Sequence, residues 1–239
     1  MDTLRILGTG SYLPPRIFHN TEFEKMGLET IDEWIVQRTG ISEHRIAALE
    51  VTTSDLGYEA ASRALEAANL LPGQIDLIIV ATITPDTCCP SAANWLQAKL
   101  QAPQAISFDV TAACSGFIFA LNVAEQYLKN RSYQRVLVVA AEVMSRTLDW
   151  QNLSTCILWG DGDRAAVLTM DSVGPQILST HLRTDGAHGQ NLLLPGGGSK
   201  TTPISHESVD RGLHHWDMIG ANMSFRVAVR YFISQFTIP

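Results

Sequence analysis

The stretch from residue 75 to residue 169 alternates between strand-like and helix-like patterns, and this alternation restricts the fold more than any other feature. Ile75–Thr82 is a nearly continuous run of β-branched and apolar residues, which is typical of a strand buried in a parallel sheet. The segments that follow are helix Ser91–Leu100, strand Ala105–Val110, helix Cys114–Lys129 and strand Arg135–Ala141. Because strands joined by helices form βαβ units, the pattern predicts an α/β fold with a mainly parallel sheet.

Further elements are predicted on both sides of this stretch. A long amphipathic helix begins at Thr53 or Ser54. A shorter helix, Ile31–Arg38, is predicted to have Thr30 as its N-cap. Three more strands are predicted at Leu4–Thr9, Asp161–Thr169 and Gln176–Leu182.

The composition is that of a globular enzyme. Of 239 residues, 46% are hydrophobic and 17% are charged, which excludes a disordered chain. The net charge of −7 argues against nucleic acid as the main partner. No apolar run is long enough to span a membrane, and the first residues lack the apolar segment of a signal peptide. We therefore expect a cytoplasmic protein without a membrane segment.

The motifs give no sign of a metal or a redox cofactor. The four cysteines have neither paired CxxC spacing nor a nearby histidine set, so we expect free thiols and no metal site. Gly160-Asp161-Gly162 does not open a helix after the first strand, as a dinucleotide fingerprint would. The absence of a GxSxG motif argues against a serine hydrolase.

Cys114 is the candidate nucleophile. It follows the predicted strand Ala105–Val110 at the point where a helix begins. The free N–H groups and the dipole of a helix N-terminus favour a thiolate, and a thiolate there can attack an acyl thioester. The alternative is a small buried cysteine that only packs the junction between strand and helix.

Several motifs, taken together and in order, give the chain a family resemblance that covers nearly its whole length. It resembles the β-ketoacyl-[acyl carrier protein] synthase III family, thiolase-like condensing enzymes that start bacterial fatty acid synthesis. The matching motifs are Gly8-Thr9-Gly10-Ser11-Tyr12-Leu13-Pro14, Asp32–Ile41, Pro90-Ser91-Ala92-Ala93, Phe108–Phe117, Gly160-Asp161-Gly162 and Phe225–Arg230.

The resemblance implies a thiolase-like layered αβαβα fold built from two similar halves. Residues 1–171 would form a complete first half that carries the nucleophile, and residues 172–239 would begin an incomplete second half. We therefore expect the chain to be a truncated product or fragment. The resemblance also implies a homodimer, with the strand before Cys114 near the interface and Cys89 reaching the acyl pocket of the other subunit.

The implied chemistry is acyl transfer followed by Claisen condensation. An acyl-CoA substrate would acylate Cys114, and malonyl-[acyl carrier protein] would lose CO₂ and attack the acyl group, with no cofactor required. By resemblance Thr30, Trp34, Arg38 and Gly220 bind CoA, the indole stacking on adenine and the guanidinium meeting phosphate. Arg226 and Arg230 lie where relatives present basic residues to the acyl carrier protein, or on an ordinary solvated face.

The chain departs from the family pattern at three places. Leu153 stands where relatives have an arginine that closes the adenine stack, so a cation–π partner is lost. Asp163-Arg164 replaces two small residues and has no assigned function. Cys89 replaces a phenylalanine at the end of the acyl pocket, which predicts a longer or branched acyl primer.

The residues that would drive decarboxylation are missing from the expected place. Relatives use a histidine and an asparagine beyond the position of Gly220, and all seven histidines here precede it. We therefore expect acylation without efficient condensation. Two alternatives remain: a ketosynthase III-like acyltransferase of secondary metabolism, and an inactive partner subunit.

Overall fold

The computed structural model describes residues 3–170, 175–199 and 203–219. These residues form two compact units. The first unit comprises the chain up to Ile17, then Arg45–Val143 and Gly160–Leu182, and it holds the main sheet. The second comprises Phe18–His44, Met144–Trp159 and the chain from Arg183 onward. The predicted division at residue 171 falls among residues outside the described ranges and stays a prediction.

The described residues of the two units form strands and helices that follow one another along the chain. In chain order the elements are β1 (Leu4–Tyr12), β2 (Arg16–His19), α1 (Thr21–Lys25), α2 (Asp32–Thr39), β3 (Glu43–Ile46), α3 (Thr53–Ala68), β4 (Leu77–Ala81), α4 (Ala92–Leu100), β5 (Ile106–Val110), α5 (Gly116–Lys129), β6 (Val136–Val143), α6 (Leu153–Cys156), β7 (Asp161–Thr169), β8 (Gln176–Ile177), β9 (Leu192–Leu193), α7 (His206–Asp210) and β10 (Asp217–Met218). None of these helices combines the length and apolar character needed to cross a bilayer.

The main sheet has six strands in the order β5-β4-β6-β7-β1-β8. Strand β4 pairs in parallel with β5 and β6, while the pairings of β7 with β6, of β7 with β1 and of β8 with β1 are antiparallel. The α/β prediction is therefore confirmed, but the expectation of a mainly parallel sheet is wrong. Strand β7 starts at the edge where β6 ends, and an antiparallel neighbour needs no crossover helix.

Helices cover both faces of this sheet. On one face α3 and α4 pack on the strands through a cluster that includes Ala60, Leu96 and Val139. On the other face α5 packs through Leu121 and Ala124. Small residues on α3, together with Gly8 and Gly10 on β1, bring that helix close to the strand backbone.

The second unit has its own aromatic core. The Phe18 ring lies 4.9 Å from the Phe23 ring and 5.2 Å from the Trp150 ring, measured between centroids. Phe23 is fully buried and also meets the His44 ring edge-on at 6.0 Å. These aromatic contacts fix α1 against the segment that carries Trp150.

Asp163 is a buried carboxylate in β7, only 4% exposed. Its Oδ1 accepts from Tyr12 N at 3.0 Å, and its Oδ2 accepts from Ala60 N at 3.3 Å. Burial raises the pKa of Asp163 to about 7, although these two hydrogen bonds and the neighbouring Arg164 and Arg63 act to lower it. Between the ordinary pKa of 3.8 and the raised pKa of about 7, the folded protein therefore keeps a proton on Asp163 that the unfolded chain has released.

Replacing Asp163 with alanine is expected to remove a pH-dependent part of the stability. Because the folded pKa is raised, the contribution of Asp163 is fully present below the unfolded pKa and is lost as the pH rises through about 7. The wild-type free energy of unfolding, relative to Asp163→Ala, should thus fall by on the order of 3 kcal/mol between about pH 4 and pH 8. Urea unfolding across that range measures it, with exposed Asp210→Ala as control. Parallel profiles for wild type and Asp163→Ala would contradict the assignment.

Candidate active site

Cys114 lies in a tight turn between β5 and α5. Strand β5 ends at Val110, a single 3₁₀ turn covers Ala113–Ser115, and α5 begins at Gly116. The thiol is free and exposed, so the alternative of a buried packing cysteine is wrong. A Cβ on Gly116 would lie 3.2 Å from the Ala81 Cβ, which shows how closely the start of α5 approaches the end of β4.

The residue before the candidate nucleophile has a strained backbone. Ala113 has φ +46°, in the left-handed region that residues other than glycine, asparagine and aspartate rarely adopt. Such strain costs roughly 1–2 kcal/mol and persists only where the surrounding structure enforces it. Here the enforced turn presents the Cys114 side chain to solvent, as a nucleophile requires.

Asp109, near the end of β5, joins this strand to the start of α4. Its two oxygens accept from Ala92 N and Ala93 N, each at 2.8 Å, and so bind the first turn of α4 to β5. Burial raises the pKa of Asp109, the two backbone hydrogen bonds oppose that shift, and Asp86 adds to it. The acceptor role fits the site because a carboxylate at a helix N-terminus satisfies free N–H groups.

Glu142 anchors the turn that follows β4. Its Oε1 accepts from Ile83 N at 2.9 Å, while its Oε2 accepts from Thr84 Oγ1 at 2.6 Å and from Thr82 Oγ1 at 3.2 Å. Burial raises the pKa of Glu142, and these hydrogen bonds act against the rise. No motif in the sequence marks Glu142; the available signal is a charged side chain at the end of the apolar segment 136–143.

The predicted CoA residues of the second unit lie on α2 and just before it. Trp34 is 37% exposed, and the Arg38 Cζ lies 4.3 Å from the centroid of its ring. This contact is a cation–π interaction between positions i and i+4. A cavity of about 420 Å³ adjoins the indole and is lined by Leu28, Glu29, Thr30, Ile31 and Trp34. A planar ring next to a cavity and a cation is suited to a nucleotide.

The prediction that Thr30 caps α2 is wrong. Ile31 is the N-cap residue, with extended dihedral angles of φ −135° and ψ 158°, and it provides no side-chain acceptor. The helix therefore begins one residue later than expected, at Asp32, and Gly40 ends it with φ +72°. Within the described part of the chain, Thr30 Oγ1 is buried and has no hydrogen-bond partner. Thr30 is also one of the residues that line the cavity beside Trp34.

Of the other predicted positions, some lie within the described residues and some do not. Leu153 is the first residue of α6, where Asn152 caps the helix by accepting from Ser154 N at 3.0 Å. Cys89 is exposed. Gly220, and the basic pair Arg226 and Arg230, lie outside the described residues.

Comparisons with known proteins agree on one family. The sequence profile of 3-Oxoacyl-[acyl-carrier-protein (ACP)] synthase III matches residues 108–186, the region around Cys114. The β-ketoacyl-[acyl-carrier-protein] synthase III of Caldanaerobacter subterraneus is 48% identical over 225 residues, which cover 94% of this chain and 67% of that protein. The chain thus spans about two thirds of the length of this relative.

Solved structures give the same result. The synthase III of Thermus thermophilus superposes with a TM-score of 0.83 at 36% identity, covering 95% of this chain and 68% of that one. The priming β-ketosynthase of the R1128 polyketide pathway has a TM-score of 0.81 at 32% identity, with coverages of 95% and 66%. These similarities confirm the predicted thiolase-like α/β fold. The chain belongs to the β-ketoacyl-[acyl-carrier-protein] synthase III family of condensing acyltransferases.

Proposed function

We propose that this chain takes the acyl group of an acyl-CoA onto the sulfur of Cys114, the priming step of β-ketoacyl-[acyl-carrier-protein] synthesis. The thiolate attacks the thioester carbonyl, a new thioester forms, and CoA leaves as a thiolate that takes up a proton. Backbone N–H groups of the turn, including that of Cys114, would stabilise the oxyanion. The observation that carries this proposal is an exposed cysteine in a strained strand-to-helix turn, within a chain of this family.

The complete reaction would transfer the primer to a two-carbon unit. Malonyl-[acyl carrier protein] would release CO₂, and the resulting carbanion would attack the acyl group on Cys114, forming a carbon–carbon bond and freeing the thiol. By family resemblance this step is assisted by a histidine and an asparagine that lie beyond the position of Gly220. We assign the acyl-transfer step to Cys114 and place the reaction in the cytoplasm.

The test is acylation of the purified chain. Incubation with acetyl-, octanoyl- and branched acyl-CoA should add one acyl group, which intact mass spectrometry detects and peptide mapping places on Cys114. Hydroxylamine should remove it, as expected of a thioester. Because Cys89 is smaller than the phenylalanine of relatives, octanoyl- or branched acyl-CoA should react at least as fast as acetyl-CoA. No acylation with any donor would refute the function, and strict acetyl preference would refute only the pocket argument.

Trp34 and Arg38 are proposed to bind the nucleotide of the acyl-CoA. Replacing Trp34 with alanine removes a stacking surface worth about 1–3 kcal/mol. The acyl-CoA concentration for half-maximal acylation should then rise about tenfold, while the value for acyl-pantetheine, which has no nucleotide, stays unchanged. Trp95→Ala is the matched control, because Trp95 is similarly exposed at 41%. Equal effects on both donors would contradict nucleotide stacking.

A homodimer is proposed as the working assembly. Strand β5 lies at the end of the strand order in the described sheet, and its first residue, Ile106, is 51% exposed. An edge strand with an exposed apolar side chain is suited to pairing with a second copy. Light scattering should give twice the 26.2 kDa of the chain, and a monomer at micromolar concentration would contradict it.

The R1128 priming ketosynthase supports a second candidate, an acyltransferase of secondary metabolism. Leu153 and Cys89 fit it, because both depart from the pattern of fatty acid synthases at substrate positions. Preference for a small-molecule acceptor over a carrier protein in acyl transfer from Cys114 would favour this second candidate.

A further inference from the structure

Glu142 lies at the same edge of the sheet as Cys114. Strands β4, β5 and β6 run in parallel, so their carboxyl ends meet at one edge. Cys114 follows the end of β5, and Glu142 is the penultimate residue of β6. The turn 82–84, which follows β4 between these two strands, lies at that edge as well.

The Glu142 carboxylate holds this turn through several donors at once. Ile83 N and the hydroxyls of Thr82 and Thr84 all donate to it. Thr84 Oγ1 in turn accepts from Val143 N at 2.9 Å. An ionised carboxylate only accepts, and its two oxygens have room for all these donors, whereas a glutamine amide would turn an N–H₂ group toward one side of the network.

The turn also contacts the segment that carries the nucleophile. Thr82 N donates to Val110 O at 3.3 Å, and Thr111 Oγ1 donates to Thr82 O at 3.4 Å. Both contacts lie within four residues of Cys114. A continuous path of hydrogen bonds therefore leads from Glu142 through Thr82 to the start of the Cys114 turn.

We propose that Glu142 is a positioning residue, which fixes the turn 82–84 and through it the backbone of the Cys114 turn during acyl transfer. The inference rests on the proposed function of Cys114. The turn has further anchors, because Thr53 Oγ1 donates to Thr84 O, and Ser54 N donates to Asp86 at 3.1 Å. Loss of the carboxylate should thus shift the turn without unfolding the unit.

The experiment compares two reactions of the same thiol. Acyl transfer needs the thiolate and the oxyanion donors in a fixed geometry, whereas alkylation by iodoacetamide needs only an accessible thiolate. In Glu142→Gln, acylation of Cys114 by the donor that is best for wild type should slow about tenfold. Alkylation of Cys114, followed by peptide mapping, should change less than twofold. A loosened fold would instead change both rates.

Three further variants separate positioning from stability. Thr84→Val removes one hydroxyl of the network and should also slow acylation, whereas Thr84→Ser keeps the hydroxyl and should acylate at nearly the wild-type rate. Asp76→Asn is the matched control, because Asp76 accepts from Gln134 N and Arg135 N at the opposite edge of the sheet. Its acylation rate should match that of wild type.

The outcomes are distinct. Wild-type acylation rates in Glu142→Gln and Thr84→Val would overturn the positioning role and leave the proposed function intact. Equal slowing in Asp76→Asn would overturn it as well, since the effect would then follow general stability. A wild-type chain that is alkylated but never acylated would overturn the proposed function, and the positioning role with it. If Glu142→Gln fails to fold, the Thr84 pair decides.

Discussion

Cys114→Ala is expected to lose acyl transfer from acyl-CoA by more than about a thousandfold, because no other group in the turn can form the acyl thioester. Intact mass spectrometry of the variant should show no added acyl group under conditions that acylate the wild type fully. Cys114→Ser should retain at most a slow reaction, since a hydroxyl is a much weaker nucleophile than a thiolate at neutral pH.

Two of the remaining cysteines provide the controls for this prediction. Cys156 is fully buried, and burial together with Asp149 raises its pKa to about 11, so it should not compete for the acyl group. Cys88 is exposed but lies outside the strand-to-helix turn. Cys156→Ala and Cys88→Ala should both be acylated as the wild type is. An acyl group that persists in Cys114→Ala would assign the chemistry to another residue.

Gly10→Ala is expected to destabilise the first unit by about 4 kcal/mol or more, which is comparable to the whole stability of a small domain. A Cβ at this position would overlap the Ala60 carbonyl oxygen and lie 2.5 Å from Ala64 N. Both atoms belong to the backbone of α3, so no side chain can move aside, and the helix must separate from β1. Chemical unfolding measures the loss, and soluble expression should fall with it.

Gly73→Ala is the control for that prediction. A Cβ at Gly73 would meet no atom within 4 Å, so its stability should stay within about 1 kcal/mol of wild type. If Gly10→Ala and Gly73→Ala unfolded at similar denaturant concentrations, the close approach of β1 to α3 would not be a determinant of the fold.

Local patterns predicted most elements of the first unit, but the predicted strand Gln176–Leu182 is too long, because the observed strand β8 covers only Gln176–Ile177. The predicted strand Asp161–Thr169 has the same bounds in the structure. Gly160 precedes it, and its apolar run ends at Thr169. The direction of β7 in the sheet could not be predicted in this way. A pattern of apolar residues is the same for a parallel and an antiparallel strand, and only the connection decides between them.

The candidate site was predicted in part. Its place between strand and helix made Cys114 a candidate, and the family resemblance made it the predicted nucleophile; its thiol is exposed, and the catalytic role stays a prediction. Thr30 was assigned a capping role that belongs to Ile31, because one residue of extended backbone shifts the start of a helix. Glu142 was missed, since its partners Thr82 and Thr84 are about sixty residues away in sequence and meet it only in the folded sheet.

The contact of Arg38 with Trp34 has a consequence for how the affinity of a nucleotide would respond to salt. The guanidinium covers one face of the indole, so a base can stack only on the opposite face, and Leu153 supplies no second cation. A ring face, unlike a carboxylate, leaves the charge of Arg38 uncompensated. The attraction between that charge and a phosphate would be screened by added ions. The affinity of the proposed nucleotide should therefore weaken only modestly with ionic strength, because the salt dependence grows with the number of cations that meet phosphate and Arg38 is a single one.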